Sequence, residues 1–249
     1  MYGAMIAVPR RVMLLAALAA ASGRPRPAEA QSLGSLGPPG VPAQAFPRPM
    51  RPVASIVSDR WQTEDTRERV GEAALVMRLL DVRPGMTVAD IGAGSGYHTV
   101  RLAARVLPGG RVLAQDVRAD YLAGLQRRVT RDGLSNVALG LGEPHDPRLP
   151  PGSVDLVLLV HVYHEIEQPF GLLYNLRPAL RPGARVAILD ADRPTPNHGT
   201  PPGLLRCELA AVGYRQAAFH WLQERSEYLA VFEPSAESPA PGAIQPCRP

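Results

Sequence analysis

Lysine is absent from this chain, so all 27 basic side chains are arginine. With heavy use of Ala and Pro, that reads as a compositional bias rather than a functional signal. The net charge of +4 is spread thinly, with no run of like charges. Aromatic residues make up 5% of the chain and do not interleave with basic ones, so no nucleic-acid surface is indicated. The two cysteines, Cys207 and Cys247, are too few and too far apart for a cysteine zinc site or a disulfide framework. They read as two unrelated thiols, with a single bridge from tail to domain as the alternative in an exported protein. Long apolar runs are also missing. The run over residues 12–21 is about half of what spans a bilayer.

The N-terminal stretch nevertheless has the make-up of a secretory signal over residues 1–30. Arg10 and Arg11 precede the apolar run, and Ala28 and Ala30 supply small residues at a cleavage site. The residues around the arginine pair loosely resemble a twin-arginine export motif. Export to the periplasm is the expectation, and cytoplasmic residence the alternative if translation starts downstream. Residues 31–54, rich in Gly and Pro, read as a flexible linker, and residues 234–249 as a frayed tail. A folded domain over residues 55–233 remains.

Within it, Thr63 can cap a helix that carries Val70, Ala74, Met77 and Leu80 at helical spacing, before Pro84-Gly85 stops it. Short apolar strands follow over 87–91, 111–115, 137–141, 154–160 and 184–189. Helices over 97–106, 121–129, 168–180 and 204–212 complete the alternation. Two β-rich pieces, 214–222 and 227–232, form a closing hairpin. The pattern predicts a three-layer α/β/α fold of right-handed βαβ units with a mostly parallel sheet, and ligands at the carboxyl ends of the strands.

The first strand runs into Asp90-Ile91-Gly92-Ala93-Gly94-Ser95-Gly96-Tyr97. Glycines at alternate positions let the backbone turn sharply beside a ligand, and the following helix offers its positive end. Asp116 stands at the tip of the second strand, where a carboxylate can accept two hydrogen bonds from a ribose diol. A G-x-G pattern alone is shared by many nucleotide-binding folds. Here, however, Tyr97 stands where the third glycine of a dinucleotide fingerprint belongs, and an acid, Asp90, precedes the loop. A pyrophosphate gains nothing from that carboxylate, whereas a ligand carrying ammonium and sulfonium groups does.

These residues resemble the class I S-adenosylmethionine-dependent methyltransferases, which have a Rossmann-like fold, and the likeness runs from about residue 64 to 232. The C-terminal antiparallel hairpin and residues 149–157 and 180–186 fit the same family. The resemblance implies S-adenosylmethionine as donor, its methionine end held by Asp90, Gly92, Ala93, Gly94 and Gly96. It implies that Asp116 binds the ribose and that Val117 packs on adenine. Glu143 takes the position that reaches the adenine amino group, where the family often has Asp.

The acceptor is read as a small molecule. Family members place residues near the methyl group after the fourth strand, here His161-Val162-Tyr163-His164-Glu165. His161 and His164 can each deprotonate an acceptor. The alternatives are that His161 gives only its backbone to the donor and that His164 packs against the next helix. Tyr97 either lines the donor pocket or caps its helix face. No metal is expected, because the His spacing matches no zinc-enzyme arrangement and lies on a loop. Asp190, Asp192, His198 and a lid formed by Trp61 are weaker candidates beside bland readings as solvated loop residues or anchors. An NAD(P)-dependent oxidoreductase and a non-catalytic donor-binding protein are the competing classes.

Overall fold

The computed structural model describes residues 1–3, 34–56 and 63–248. The chain divides into two compact units, Met1–Ser32 and Leu33–Pro249. Most of the signal-like stretch, and Trp61, lie outside the described residues.

In chain order the second unit holds α1 (Glu64–Arg69), α2 (Glu72–Leu79), β1 (Thr87–Ile91), α3 (Tyr97–Arg105), β2 (Arg111–Asp116), α4 (Ala119–Arg131) and β3 (Val137–Leu141). Then follow β4 (Val154–Val160), α5 (Pro169–Leu176), β5 (Leu180–Ala191), α6 (Pro202–Ala211), β6 (Tyr214–Leu222) and β7 (Glu227–Pro234). The strands form one seven-stranded sheet in the order β3-β2-β1-β4-β5-β7-β6. β1 to β5 pair in parallel, and β7 runs antiparallel between β5 and β6. This is the parallel sheet and closing hairpin that the sequence predicts.

β4 explains why the sheet is covered on both faces. Its side chains alternate between two cores, as the strand period requires. Val157 and Leu159 pack with Phe170 and Leu173 of α5 and Leu205 of α6. Leu156 and Leu158 pack with Val76 of α2 and Leu102 of α3. All four β4 residues are fully buried, so truncating any of the three leucines to Ala costs about 2–5 kcal/mol. Among the described residues no helix is long and apolar enough to cross a membrane.

Three expectations change. The first helix is two, because Gly71 adopts φ 63° and breaks it, while Thr63 caps the first piece through the Thr66 N–H at 3.3 Å. The break starts α2 at Glu72 and turns that side chain inward, where it is 4% exposed.

The supposed flexible linker is instead a strap. Phe46 is buried in the core beside Tyr174, and Val41 exchanges two hydrogen bonds with the Asn175 side chain. The Arg51 guanidinium, fully buried, donates to both carboxylate oxygens of Glu208 on α6 at 2.9 and 3.2 Å. Few apolar anchors suffice when a buried ion pair and main-chain bonds supply the rest. The tail is also docked rather than frayed. Ile244 and Cys247 are buried, and Cys247 forms a disulfide with Cys207 of α6, so the thiols are not unrelated.

Candidate active site

The carboxyl ends of β1, β2, β4 and β5 surround a cavity of about 600 Å³, within the range of small-molecule sites. One end is made by the glycine loop after β1. Gly92 and Ala93 both donate their N–H to the Gln115 carbonyl of β2, at 2.8 and 3.0 Å. Gly94 donates to Asp116 Oδ2 at 2.9 Å, and Arg118 donates its backbone N–H to Oδ1. Gly92 sits at φ 71°, and a Cβ there would lie 2.6 Å from Val162 Cγ2; Gly96, at φ 86°, would drive one into Leu125. Neither position accepts a side chain.

Asp90 is buried and accepts from Thr99 Oγ1 at 2.6 Å. Burial pushes its carboxyl above the usual range, against the pull of His98 and Thr99. Burial likewise raises Asp116, despite the amides of Gly94 and Arg118. Both acids line the cavity, so both would gain from a ligand that donates protons or carries positive charge. Val117, exposed at 36%, offers an apolar face on the same wall. Gln115, missed by sequence reasoning, is buried there with its Nε2 lacking a hydrogen-bond partner among the described residues.

Glu143 is not among the cavity-lining residues. Its carboxylate is tied to Arg148, and its main chain pairs with Asp146, so Pro144 takes the cavity wall instead. Tyr97 does line the cavity, but its hydroxyl donates to Glu68 at 2.8 Å and two guanidiniums, Arg67 and Arg101, sit over its ring. Burial and the Glu68 carboxylate push that hydroxyl up to about 12. It is a poor proton donor or acceptor near neutrality.

The other end of the cavity gathers residues from distant segments. His161 holds a left-handed backbone at φ 53°, and its Nε2 lies 3.5 Å from Glu72 Oε2. Glu72 also accepts from Arg67 Nε at 3.0 Å and from His98 Nε2 at 2.9 Å. Burial favours the neutral acid, but His161, His98 and Arg67 outweigh it and hold the carboxyl well below its usual range. Nothing in the sequence marks Glu72, which falls in the middle of the single helix expected there.

His164 is buried, and its Nδ1 lies 2.9 Å from Asp190 Oδ1. Asp190, far from a solvated loop acid, is fully buried and also accepts from Thr200 Oγ1 and the Ala191 N–H. Asp192, by contrast, is exposed. The His198 ring meets that of His164 edge-on, with centroids 5.5 Å apart. The strap reaches this point too. Ala54 donates its N–H to the His164 carbonyl, and Arg51 donates to the carbonyls of Tyr163 and Ile166.

A family model described as "Methyltransferase domain" matches residues 89–186. A nocamycin O-methyltransferase of Saccharothrix syringae is 35% identical over 85 residues, covering 34% of this chain and 30% of that protein. An arsenite methyltransferase of Halobacterium salinarum is 32% identical over 116 residues, covering 45% of this chain and 29% of its own length. The chain thus spans less than a third of either relative. The crystal structure of a SAM-dependent methyltransferase from Aquifex aeolicus superposes with a TM-score of 0.62 at 25% identity, covering 67% of this chain and 91% of that one.

Residues 89–186 thus match a methyltransferase domain, and the fold is that of the class I, Rossmann-like S-adenosylmethionine-dependent methyltransferases. The cofactor of the proteins with this fold and domain is S-adenosylmethionine, and the buried acids, the exposed Val117 and the Gln115 amide, unpartnered among the described residues, suit such a ligand.

Proposed function

We propose that this protein transfers a methyl group from S-adenosylmethionine to a small-molecule acceptor. The observation that carries the reading is one cavity with two buried acids, Asp90 and Asp116, at one end and His161 and His164 at the other. Asp116 would accept from the ribose hydroxyls, Asp90 would face the ammonium, and Gly92, Ala93, Gly94 and Gly96 would cradle the methionine end. Val117 would pack on adenine, and the Gln115 amide would supply a donor to the ring. When bound, the cofactor supplies a methyl carbon activated by positive sulfur. The protein's part is to align the acceptor with that carbon, to exclude water and, where the acceptor carries a proton, to help remove it. Asp190 fixes the orientation of the His164 ring in the cavity.

Thermal shift of the full chain with S-adenosylhomocysteine and with NADH tests the reading. Stabilisation that grows with adenosylhomocysteine concentration is expected. A response to the nicotinamide alone would overturn it in favour of an oxidoreductase.

We further propose that the chain is exported. Arg10, Arg11 and the apolar run support this, as does the Cys207–Cys247 disulfide, a bond that persists in oxidising compartments. Cell fractionation checks it: an unprocessed chain in the cytoplasm sinks the idea.

A further inference from the structure

We propose that His164, Glu165 and His198 hold one divalent transition-metal cation, zinc by its donor set, at the acceptor end of the cavity. Each residue offers a ligand atom, and these atoms all lie within 4.8 Å of one another. His164 Nε2 and Glu165 Oε1 are 4.0 Å apart. Two imidazoles and a carboxylate form the ligand set of zinc sites that keep a fourth position open for water or substrate. Ligands about 2.0–2.2 Å from a tetrahedral ion stand roughly 3.4 Å apart, so closure needs side-chain shifts of about an ångström.

The strongest support lies behind the ligands rather than among them. Asp190 is fully buried, and its carboxylate can only accept from the His164 ring, the Ala191 amide and the Thr200 hydroxyl. Nδ1 of His164 therefore carries the hydrogen, and the lone pair of Nε2 is left on the side of Glu165. A metal-binding histidine almost always has such a carboxylate or carbonyl on its second nitrogen, which fixes the ring and raises its basicity. His198 arrives from the loop after β5, at φ 57°. That loop is clamped on both sides of it. Thr195 Oγ1 donates to the Pro52 carbonyl, and a Cβ on Gly199 would lie 2.5 Å from the Ala191 carbonyl oxygen. An uncommon backbone conformation held by its surroundings is how functional side chains are often presented.

All three ligands line the cavity that the methyl-transfer reading assigns to donor and acceptor, and the role of the ion rests on that reading. A hydroxyl or thiol of the acceptor at the open position loses its proton to solvent more readily beside the cation. The resulting anion then attacks the methyl carbon, the carbon–sulfur bond breaks, and sulfur leaves as the neutral thioether. Linear spacing gave no sign of this site, because its third ligand lies 33 positions beyond Glu165.

The test is calorimetric titration of zinc into the untagged, chelator-stripped full chain, with adenosylhomocysteine titrated in parallel. One ion per chain is expected, with affinity at least tenfold weaker in His198→Ala and in Glu165→Gln. Asp190→Asn should weaken it roughly tenfold to a hundredfold, as outer-shell changes do. Retained adenosylhomocysteine binding shows that each variant is folded. No zinc binding, or variants that bind zinc like the parent, would overturn the metal site. If adenosylhomocysteine binds and zinc does not, the metal inference alone fails. If zinc binds and adenosylhomocysteine does not, the site stands and the methyl-transfer reading fails.

Discussion

The two ends of the cavity are built by different means. The end proposed for the donor comes from two adjacent strand tips, and main-chain amides stitch it together: Gly92 and Ala93 to the Gln115 carbonyl, Gly94 and Arg118 to the Asp116 carboxylate. The acceptor end comes from α2, the turn after β4, the end of β5 and the loop beyond it. Side chains join it: Glu72 to Arg67, His98 and His161, and Asp190 to His164 and Thr200. Backbone bonds do not care which residue supplies them, so outside the glycines and Asp116 the first arrangement survives much sequence change. Bonds between side chains do depend on identity. The acceptor end is therefore where specificity can vary while the donor end stays the same.

Substitutions can break this contrast in order of effect. Glu72→Ala should be the costliest, since it leaves the guanidinium of Arg67, itself mostly buried, without its counter-charge. Breaking a buried pair costs about 3–5 kcal/mol, readable as a lower urea midpoint. A midpoint within error of the parent would mean that the acceptor end is not held by that carboxylate. Asp116→Ala should act on the donor instead. Losing charge-assisted hydrogen bonds of about 2–3 kcal/mol weakens adenosylhomocysteine binding about thirtyfold or more by calorimetry. Equal affinity would remove Asp116 from the donor site.

Gly92→Ala touches both ends, because the added methyl meets Val162 of the acceptor-side turn at a left-handed backbone position. It should lower stability by about 1–3 kcal/mol and weaken donor binding together. A loss in one measurement alone would uncouple the two ends.

Acid should separate them most gently. Burial raises Asp90 and Asp116, so the ionised forms that a donor needs start to disappear at a pH above the ordinary carboxylate range. Glu72 is lowered, so the stability it contributes is present above the usual Glu value of about 4.3 and is lost as pH falls below it. Donor affinity should thus decline at a higher pH than the urea midpoint does. Coincident declines would contradict the electrostatic difference between the ends.

What the sequence discloses follows the same divide. The strands, the loop from Asp90 to Gly96, and Asp116 are local signals: apolar runs, glycines where the chain must turn, an acid at a strand tip. At Glu143 the residue type at a position does not reveal that Arg148 pairs with the carboxylate. Glu72 and the Asp190–His164 pair were illegible because their roles arise from contacts across 26 residues, and Gln115 because burial without a partner is a property of the fold. Arg51 escaped for a similar reason. Its partner Glu208 lies 157 residues on, and a Pro-rich segment otherwise looks unanchored.

Helix α6 fastens both flanking segments through neighbouring residues: Glu208 holds the strap through Arg51, and Cys207 holds the tail through Cys247. Local opening of that one helix would loosen the Arg51 anchor and with it the grip of Arg51 on the turn that carries His164, while Phe46 and Asn175 still hold the rest of the strap and the disulfide keeps the tail tied to the helix. In hydrogen-exchange terms, the amides of α6 and of the turn gripped by Arg51 should share one opening free energy rather than fray independently. The order of the end proposed for the acceptor then depends in part on a helix that contributes no residue to its walls.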